Sequence, residues 1–432
     1  MSRVAFVTPL PPAPTGIADY SADVLAALSP GHQIDAYHAQ EDVDSSRLPA
    51  AVAAHPAAEL IERHRQRPYD AVIYQIGNGP EHDFLYELLP RLPGLLVLHD
   101  LVLHHARARM FLDSAAVRAY AAAPADRARQ AAVRPALEAY RAELAYAYPD
   151  QAERLFEAQL GTVGTLLPYA YPLFRLAVEA SRLTAVHNEF MAEAVRAEVP
   201  GAAAVRVAMP ITAPAIAAGT VSLLRARLGL APGDFVVGSF GLLTPEKQIE
   251  TVARAVARAA VHVPQLRLLL VGPVPDPGAL QARLEGLGVA GRAVVTGRVA
   301  FGELAAHMEA ADVAVHLRYP TARETSAALL RLLAQGRPVI MSDLEHLADI
   351  PDDAVMRVDV RDEEGAVTRA LLSLAVHPEA RARRGLRARE FARTEHAPSR
   401  CRADYEAAIA RAAALPEPPR RAWPPHWATL RA

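Results

Sequence analysis

Residues 317–340 read LRYPTARETSAALLRLLAQGRPVI, and this stretch decides the fold. An apolar run from Val313 to Leu317 precedes it, and a second apolar run begins after Pro338. Between the two runs a polar loop leads into a leucine-rich helix, which Gly336 closes. A strand, a helix and a second strand in this order are typical of the βαβ unit of a parallel sheet.

The loop of this unit carries polar groups where a ligand would meet the sheet. The helix is predicted to start at Glu324, Thr325 and Ser326. A helix start offers unpaired backbone N–H groups, and the two hydroxyls add further hydrogen-bonding groups. Such a site commonly holds a phosphate, so these three residues are candidates for binding a phosphorylated ligand.

The same alternation of short apolar runs and alanine-rich helical stretches extends through most of the chain. Runs that are apolar on both faces indicate buried parallel strands, and the helices between them indicate crossover connections. Two consecutive sets predict an α/β protein with two doubly wound, Rossmann-like domains. The predicted strands are Arg3–Thr8, Ala71–Gln75, Leu95–His99, Leu183–His187, Phe235–Phe240, Leu266–Gly272, Ala293–Thr296, Val313–Leu317 and Val339–Met341.

The domain limits follow from breaks in this pattern. A stretch without clear periodicity around 209–220 predicts a boundary, with an N-terminal domain over 1–212 and a C-terminal domain over 213–415. Residues 104–182 form a mostly helical insertion in the first domain. The proline-rich residues 416–432 are predicted to pack back onto that domain.

The composition narrows the class of protein. The 432 residues are 52% hydrophobic, and the net charge of −2 argues against a nucleic-acid partner. One cysteine, Cys401, excludes an internal disulfide and predicts a reducing, cytoplasmic compartment. The N-terminus lacks the pattern of a signal peptide, and no run of about 18 apolar residues predicts a membrane span.

Two loops at predicted strand ends of the first domain carry candidate residues. Gly16 follows the first strand, where it would let the backbone approach a ligand, and Asp19 and Tyr20 come next. His99 and Asp100 end another strand, so they are expected to face the crevice at the edge of the sheet. A histidine in such a place can also be purely structural.

Other histidines of this domain are less specific. His187 ends the last predicted strand of the first domain, and an Asn188 N-cap beside a buried histidine explains the pair equally well. His104 and His105 follow His99, but no carboxylate or cysteine set completes a site, so no metal is predicted.

The second domain has its own strand-end loop, GLLTPEK at 241–247. Gly241 loosens the turn, and Lys247 is placed to neutralise a diphosphate near a helix start. Arg298 lies at a later strand end, beside the expected nucleotide base. Neither a P-loop nor a GxGxxG motif occurs, which argues against a dinucleotide oxidoreductase.

Together these blocks resemble family 4 of the retaining GT-B glycosyltransferases over nearly the whole chain. The matching pieces are the Gly16 loop, LHD at 98–100, VHN at 186–188, the Lys247 loop, VTGRV at 295–299 and residues 318–340. The resemblance implies two Rossmann-like domains facing a cleft. It also implies hexose transfer from a nucleotide-diphospho-sugar to an acceptor hydroxyl with retention of configuration, without a metal or other cofactor.

The resemblance assigns roles to the candidate residues. His99, Lys247 and Glu324 are the expected catalytic residues. The expected donor-binding residues are Gly16, Gly241, Lys247, Arg298, Arg318, Glu324, Thr325 and Ser326. The expected acceptor-binding residues are Asp19, Tyr20, Asp100 and His187. The acceptor is expected to be a glycan, a lipid-linked molecule or a small molecule, with the helical insertion as its recognition element and peripheral contact at the inner membrane face.

The chain departs from the family at the donor loop. Arg323 and Arg331 stand where many members carry paired glutamates, although Glu324-Thr325-Ser326 resembles a subgroup variant with a GETS-like turn. Leu242 stands where an arginine is usual, and Arg318 is the hypothetical replacement. Two alternatives therefore stay open: a nucleotide-sugar epimerase of GT-B fold, and a non-catalytic nucleotide-sugar-binding protein.

Overall fold

The computed structural model describes residues 2–123, 126–161, 166–419 and 421–431. The chain forms two compact units. Unit 1 takes the described residues up to Pro210, the short segment Ala322–Thr325, and those from Cys401 onward. Unit 2 takes Ile211–Thr321 and Ser326–Arg400. The predicted limits of 1–212, 213–415 and 416–432 stay a prediction beside this division.

Unit 1 is built on a sheet of seven parallel strands. They are β1 (Ser2–Val7), β2 (His32–His38), β3 (Ala53–Pro56), β4 (Ala71–Ile76), β5 (Leu95–Leu98), β6 (Leu183–Val186) and β7 (Ala204–Arg206). Their order is β3-β2-β1-β4-β5-β6-β7, so the winding reverses between β1 and β4. Open α/β sheets bind ligands at the carboxyl ends of the strands beside such a reversal.

Unit 2 repeats this plan with six parallel strands. They are β8 (Phe235–Phe240), β9 (Leu266–Val271), β10 (Ala293–Val295), β11 (Val313–His316), β12 (Val339–Ser342) and β13 (Val355–Val358). Their order is β10-β9-β8-β11-β12-β13, with the reversal between β8 and β11. The loops after β8 and β11 are those that contain Lys247 and Arg318, so the reversal brings them to one edge of the sheet.

Helices connect the strands in both units. Those before residue 200 are α1 (Gly16–Leu28), α2 (Leu60–Gln66), α3 (Asp83–Leu88), α4 (His104–Leu112), α5 (Ala115–Ala122), α6 (Arg127–Ala147), α7 (Ala152–Leu160), α8 (Leu167–Ala170), α9 (Arg175–Glu179) and α10 (Glu189–Glu198). The later ones are α11 (Thr220–Arg227), α12 (Ile249–Ala260), α13 (Pro277–Gly286), α14 (Phe301–Ala310), α15 (Ala327–Ala334), α16 (Glu363–Val376), α17 (Pro378–Glu395), α18 (Pro398–Ala414) and α19 (Pro425–Arg431).

The predicted fold class of two doubly wound parallel sheets is confirmed. All nine predicted strands are present, and Phe235–Phe240 has the predicted bounds. The prediction missed β2, β3, β7 and β13. The runs HQIDAYH in β2 and AAHP in β3 are too polar to read as buried strands, and β3, β7 and β13 lie at sheet edges. An edge strand needs less apolar surface than a central one, so its sequence signal is weak.

The helical insertion lies between β5 and β6 and belongs to unit 1. Its helices enclose a small apolar cluster around Tyr140, Leu144 and Phe156, separate from the main core. Residues 124–125 and 162–165 of the predicted insertion lie outside the described residues. No helix in the described part of the chain has the length and apolar character that a membrane crossing requires.

A buried ion pair connects the insertion to the end of the chain. The Arg107 guanidinium donates two hydrogen bonds to Glu143, and both side chains are almost fully buried. The indole Nε1 of Trp427 donates to Glu143 Oε1 at 2.7 Å, and His426 Nε2 lies 2.8 Å from the same oxygen. Four side chains from α4, α6 and α19 thus share one buried charge centre.

Candidate functional site

Two histidines meet at the strand ends of unit 1. His99 directly follows β5 and His187 directly follows β6, so neighbouring parallel strands bring them together. His99 Nδ1 lies 3.2 Å from His187 Nε2, and His99 Nε2 lies 2.8 Å from the side-chain oxygen of Gln75 in β4. Both nitrogens of His99 therefore have hydrogen-bonding partners within the protein.

Tyr20 packs against both imidazole rings. Its ring meets His99 edge-on at 4.7 Å and His187 at 5.2 Å between centroids. Its hydroxyl lies 2.6 Å from the hydroxyl of Tyr405 in α18, and the residue is only 2% exposed. The structure thus places Tyr20 in the core, where the side chain supports the two histidines.

Burial keeps His99 neutral. Removal from water is the main cause that holds the pKa of His99 well below its ordinary value, and the neighbouring His187 and His82 lower that pKa further. At pH 7 the His99 ring therefore carries one proton. A neutral ring has one donor and one acceptor nitrogen, so the partners of each nitrogen decide where the proton sits.

The other candidates of unit 1 lie at the same edge of the sheet. Gly16 is exposed and forms the first residue of α1, with Thr15 as the N-cap. Asp19, one turn later, accepts a 2.7 Å hydrogen bond from Arg47. Asp100 accepts a 3.2 Å hydrogen bond from the Asn78 amide, which also donates to the Val102 carbonyl. Both carboxylates are partly exposed, so each can reach a ligand.

Residues 322–325 are held by backbone and side-chain hydrogen bonds within unit 1. The Asn188 amide donates to the Arg323 carbonyl at 3.2 Å and to the Thr325 hydroxyl at 3.0 Å. The Leu101 N–H donates to the Ala322 carbonyl at 3.0 Å. The Thr325 hydroxyl is therefore already hydrogen-bonded, whereas Glu324 is partly exposed.

The helix that follows the loop around Glu324 begins later than predicted. α15 starts at Ala327, and the Ser326 hydroxyl accepts from the Leu329 N–H as its N-cap. The prediction of a start at Glu324 was wrong because Ser326, with the extended backbone angles φ −77° and ψ 115°, is the N-cap, so Glu324 and Thr325 precede the helix. Arg323, earlier in the same loop, has a left-handed conformation with φ of 60°.

In unit 2 the lysine candidate lies at the end of β8. Lys247 is 7% exposed and its Nζ donates to the carbonyl oxygen of Phe240, the last residue of that strand. Gly241 comes next with φ of +100°, and a Cβ there would lie 2.8 Å from Lys247 Nζ. Glycine at 241 therefore leaves the space in which the ammonium group sits.

Several cationic groups surround β11 of unit 2. Burial is the main cause that holds the pKa of His316 well below its ordinary value, and Lys247, Arg318 and His346 lower that pKa further. The Arg318 N–H donates to the Ser342 hydroxyl at 3.0 Å, which fixes the backbone at the next strand end. A concentration of positive charge at the carboxyl ends of strands favours an anionic ligand.

The remaining candidates of unit 2 lie nearer the surface. Arg298 is exposed after β10. Arg331, in the place of a family glutamate, has its guanidinium 4.9 Å from the ring centre of Phe301. Arg323, in the place of the other glutamate, belongs to unit 1, and its guanidinium lies 5.7 Å from the centre of the Phe190 ring in the same unit. Both arginines therefore contact aromatic rings.

The sequence prediction missed four residues of these strand-end clusters. Gln75 and Tyr405 complete the hydrogen bonds around His99, and His316 and His346 lie near Lys247. His316 ends a predicted strand and could have been found by the rule that identified His99. Tyr405 carried no local signal because it lies in a helix 330 residues beyond Gln75.

A family model gives the first comparison with known proteins. Residues 234–376 match the model described as glycosyl transferases group 1. This stretch contains the strand ends of unit 2 from β8 to β12, with Lys247, His316 and Arg318.

One curated relative and many solved structures extend the comparison. The chain is 26% identical over 153 residues to the alpha-monoglucosyldiacylglycerol synthase of Streptococcus pneumoniae. These 153 residues make up 35% of this chain and 34% of the relative. The match therefore spans about a third of that relative's length.

Among solved structures, Anabaena Alr3699/HepE in complex with UDP-glucose superposes with a TM-score of 0.65 at 14% identity, covering 95% of this chain and all of the other. Sucrose-phosphate synthase from Thermosynechococcus elongatus superposes with a TM-score of 0.59 at 18% identity, covering 95% and 97%. These structural likenesses establish the fold. The shared fold is the GT-B fold, and the match to the glycosyl transferases group 1 model covers residues 234–376.

Proposed function

We propose that the protein is a retaining glycosyltransferase that moves a hexose from a nucleotide-diphospho-sugar to an acceptor hydroxyl. The observation that carries this proposal is the group of cationic side chains at the strand ends of unit 2, within the stretch that matches the family model. A diphosphate is the anionic part of such a donor, and a partly buried lysine binds it more strongly than an exposed one.

In this mechanism the chemistry takes place at the anomeric carbon. Its bond to the diphosphate oxygen breaks, a bond to the acceptor oxygen forms on the same face, and a diphosphate oxygen takes the acceptor's proton. Lys247 and Arg318 stabilise the negative charge that grows on the leaving diphosphate. Arg298, which is exposed after β10 in the same unit, is the candidate to contact the nucleotide.

The acceptor is assigned to unit 1. Asp19 and Asp100 are the partly exposed carboxylates there and can orient an acceptor hydroxyl, whereas Tyr20 is buried. We infer a lipid-linked acceptor, because the curated relative is named as an alpha-monoglucosyldiacylglycerol synthase. The helical insertion supports this choice with exposed Leu166 and a cavity of about 320 Å³ lined by three arginines, Arg127, Arg134 and Arg141.

A panel of nucleotide-sugars tests the proposal without knowledge of the acceptor. UDP-glucose comes first, because the Anabaena structure contains it. We expect one donor to raise the melting temperature and to be hydrolysed slowly to free nucleoside diphosphate. Exchange at C2 of the sugar would instead indicate an epimerase, and stabilisation without turnover would indicate a binding protein. Addition of diacylglycerol vesicles then tests the lipid acceptor by formation of a glycolipid.

Replacement of Lys247 tests the donor site itself. Lys247→Ala is expected to reduce donor turnover by about 100- to 1,000-fold, the usual loss when one stabilising donor to a developing negative charge is removed. Arg254→Ala is the matched control, because Arg254 is a half-exposed cation on α12 that pairs with Glu250. If both variants turn over donor like the wild type, the diphosphate is not bound at Lys247.

A further inference from the structure

A chain of side chains crosses the core of unit 1 from α18 to β6. It runs from the Tyr20 hydroxyl to the Tyr405 hydroxyl at 2.6 Å, and from Tyr405 to the Gln75 amide at 3.2 Å. It continues from Gln75 to His99 at 2.8 Å and from His99 to His187 at 3.2 Å.

The chain ends at a backbone carbonyl. His187 Nδ1 lies 3.1 Å from the Val207 oxygen, which can only accept a hydrogen bond. The proton of a neutral His187 ring must therefore sit on Nδ1, and its Nε2 must accept. His99 then donates from Nδ1 to His187, which leaves His99 Nε2 without a proton.

An unprotonated His99 Nε2 requires a donor from Gln75. In the structure the Gln75 oxygen faces His99 and its nitrogen faces Tyr405, and a half-turn of the amide exchanges the two atoms. With the nitrogen toward His99, the Gln75 oxygen accepts from the Tyr405 hydroxyl, which in turn accepts from Tyr20. Every donor then meets an acceptor, and both rings are neutral.

The opposite orientation needs an extra proton. With the Gln75 oxygen toward His99, His99 Nε2 donates, and the bare Nδ1 must accept from His187 Nε2. A neutral His187 would then present a bare Nδ1 to the Val207 oxygen at 3.1 Å, and two acceptors would face each other. Only a charged His187 or a charged His99 removes this conflict, and a buried charge is costly.

We propose that the Val207 carbonyl, His187 and Gln75 form a positioning relay that holds His99 as a neutral ring with its proton on Nδ1 and its Nε2 bound to the Gln75 amide. The relay prevents His99 from exchanging a proton with a ligand, because both nitrogens are engaged. His99 thus lines the strand-end site of unit 1 with its ring held in one orientation and one protonation state. Only this consequence for catalysis rests on the proposed glycosyltransfer; the relay itself does not.

The groups around His99 come from every element packed against it. Tyr20 comes from α1, Gln75 from β4 and Tyr405 from α18, while His82 and His187 follow β4 and β6. His82 Nδ1 faces the Gln75 carbonyl at 2.9 Å, so it too carries its proton on Nδ1 when neutral. Among the described residues, the groups that shift the pKa of His99 are His187 and His82, and both lower it.

Nitrogen NMR of the full-length protein with labelled histidine rings tests the relay. His82, His99 and His187 are assigned by replacing each in turn. We expect His99 and His187 to show a protonated Nδ1 and an unprotonated Nε2 at pH 7. A protonated Nε2 on His99 in the wild type would overturn the proposal.

Two variants change the relay at one point each. Gln75→Glu supplies a group that can only accept, so we expect His99 Nε2 to become protonated and the His99 pKa to rise. His187→Phe removes the nitrogen that accepts from His99 Nδ1, so we expect two His99 tautomers in place of one. Unchanged His99 signals in His187→Phe would contradict the proposal even if Gln75→Glu did not fold.

A matched control separates the relay from a general loss of packing. Tyr37→Phe removes one of a pair of buried hydroxyls, Tyr37 and Tyr69, 2.5 Å apart in the same unit. We expect no change of the His99 signals there. In a donor-turnover assay, His187→Phe should lower turnover several-fold without changing the donor KM, and Tyr37→Phe should change neither. Loss of donor binding in the wild type would reject the proposed function and leave the NMR result intact.

Discussion

The two units use the carboxyl ends of their strands in opposite ways. In unit 1 the buried polar groups at His99 and His187 bond to one another. In unit 2 the pKa of His316 is lowered, besides by burial, by Lys247, Arg318 and His346, of which the first two are cations. The same sheet topology therefore supports a neutral network in one unit and a positively charged one in the other.

The difference indicates which unit is prepared for an anion. A buried hydrogen-bond network with all partners present is stable without a ligand. A group of like charges destabilises itself, and a bound anion relieves the repulsion. We therefore expect changes in unit 1 to affect mainly stability and changes in unit 2 to affect mainly donor binding.

The largest expected effect is the loss of charge balance in unit 1. Glu143→Gln leaves the Arg107 charge buried without its partner, which should lower the free energy of unfolding by about 3–5 kcal/mol. Chemical denaturation with a fluorescence readout measures this change. Glu138→Gln, in the same helix but paired with Arg134 at the surface, should cost less than about 1 kcal/mol. If both variants lost the same amount of unfolding free energy, burial of the Arg107–Glu143 pair would not explain the effect.

The same pair predicts the acid sensitivity of unit 1. Burial alone would raise the pKa of Glu143, but Arg107 and His426 outweigh burial and lower that pKa to about 2 from an ordinary 4.5. Because the folded pKa is the lower one, the stabilisation is complete above about pH 4.5 and is lost as pH falls toward 2. In Glu143→Gln, the free energy of unfolding should therefore fall less between those two pH values than it does in the wild type. Chemical denaturation at a series of pH values measures this difference.

A smaller effect is expected where unit 2 makes room for Lys247. Gly241→Ala places a Cβ 2.8 Å from Lys247 Nζ, so the ammonium must move. We expect donor affinity to fall by about tenfold, equal to about 1.4 kcal/mol, in a calorimetric titration with the active donor. Gly229→Ala is the control, since Gly229 also has a positive φ but no atom within 4 Å of the added Cβ. Equal donor affinity in the two variants would contradict the role of this space.

The smallest effect concerns Arg323, whose φ is 60°. Arg323→Gly and Arg323→Ala both remove the contact with Phe190, but only glycine adopts this backbone without strain. The glycine variant should therefore have the higher unfolding free energy by about 1 kcal/mol. At exposed Arg118, inside α5, the order should reverse, because glycine is the weaker helix former. If the alanine variant had the higher unfolding free energy at both sites, the left-handed conformation of residue 323 would not be maintained in solution.

The sequence was sufficient to predict the fold class and the positions of several clustered residues. The short apolar runs identified the central strands, and the rule that ligands lie at strand ends selected His99, His187 and Lys247. Polar edge strands such as β3 carried too little apolar signal to be predicted. The start of α15 was misplaced by three residues because Thr325 and Ser326 are both suitable N-caps in the sequence, and only the folded loop selects Ser326.

The sequence by itself determined the alternation of buried strands and helices, because burial of a strand or a helix face imposes a local period on the residues. Only the tertiary structure decided which polar groups became partners. Tyr20 and Tyr405 share a hydrogen bond although 385 residues separate them, and Asn188 holds Thr325 across 137 residues. Such pairs leave no periodic signal, since each depends on the packing of several elements at once. For the same reason the proton on His99 is fixed by the folded protein and not by its own stretch of sequence.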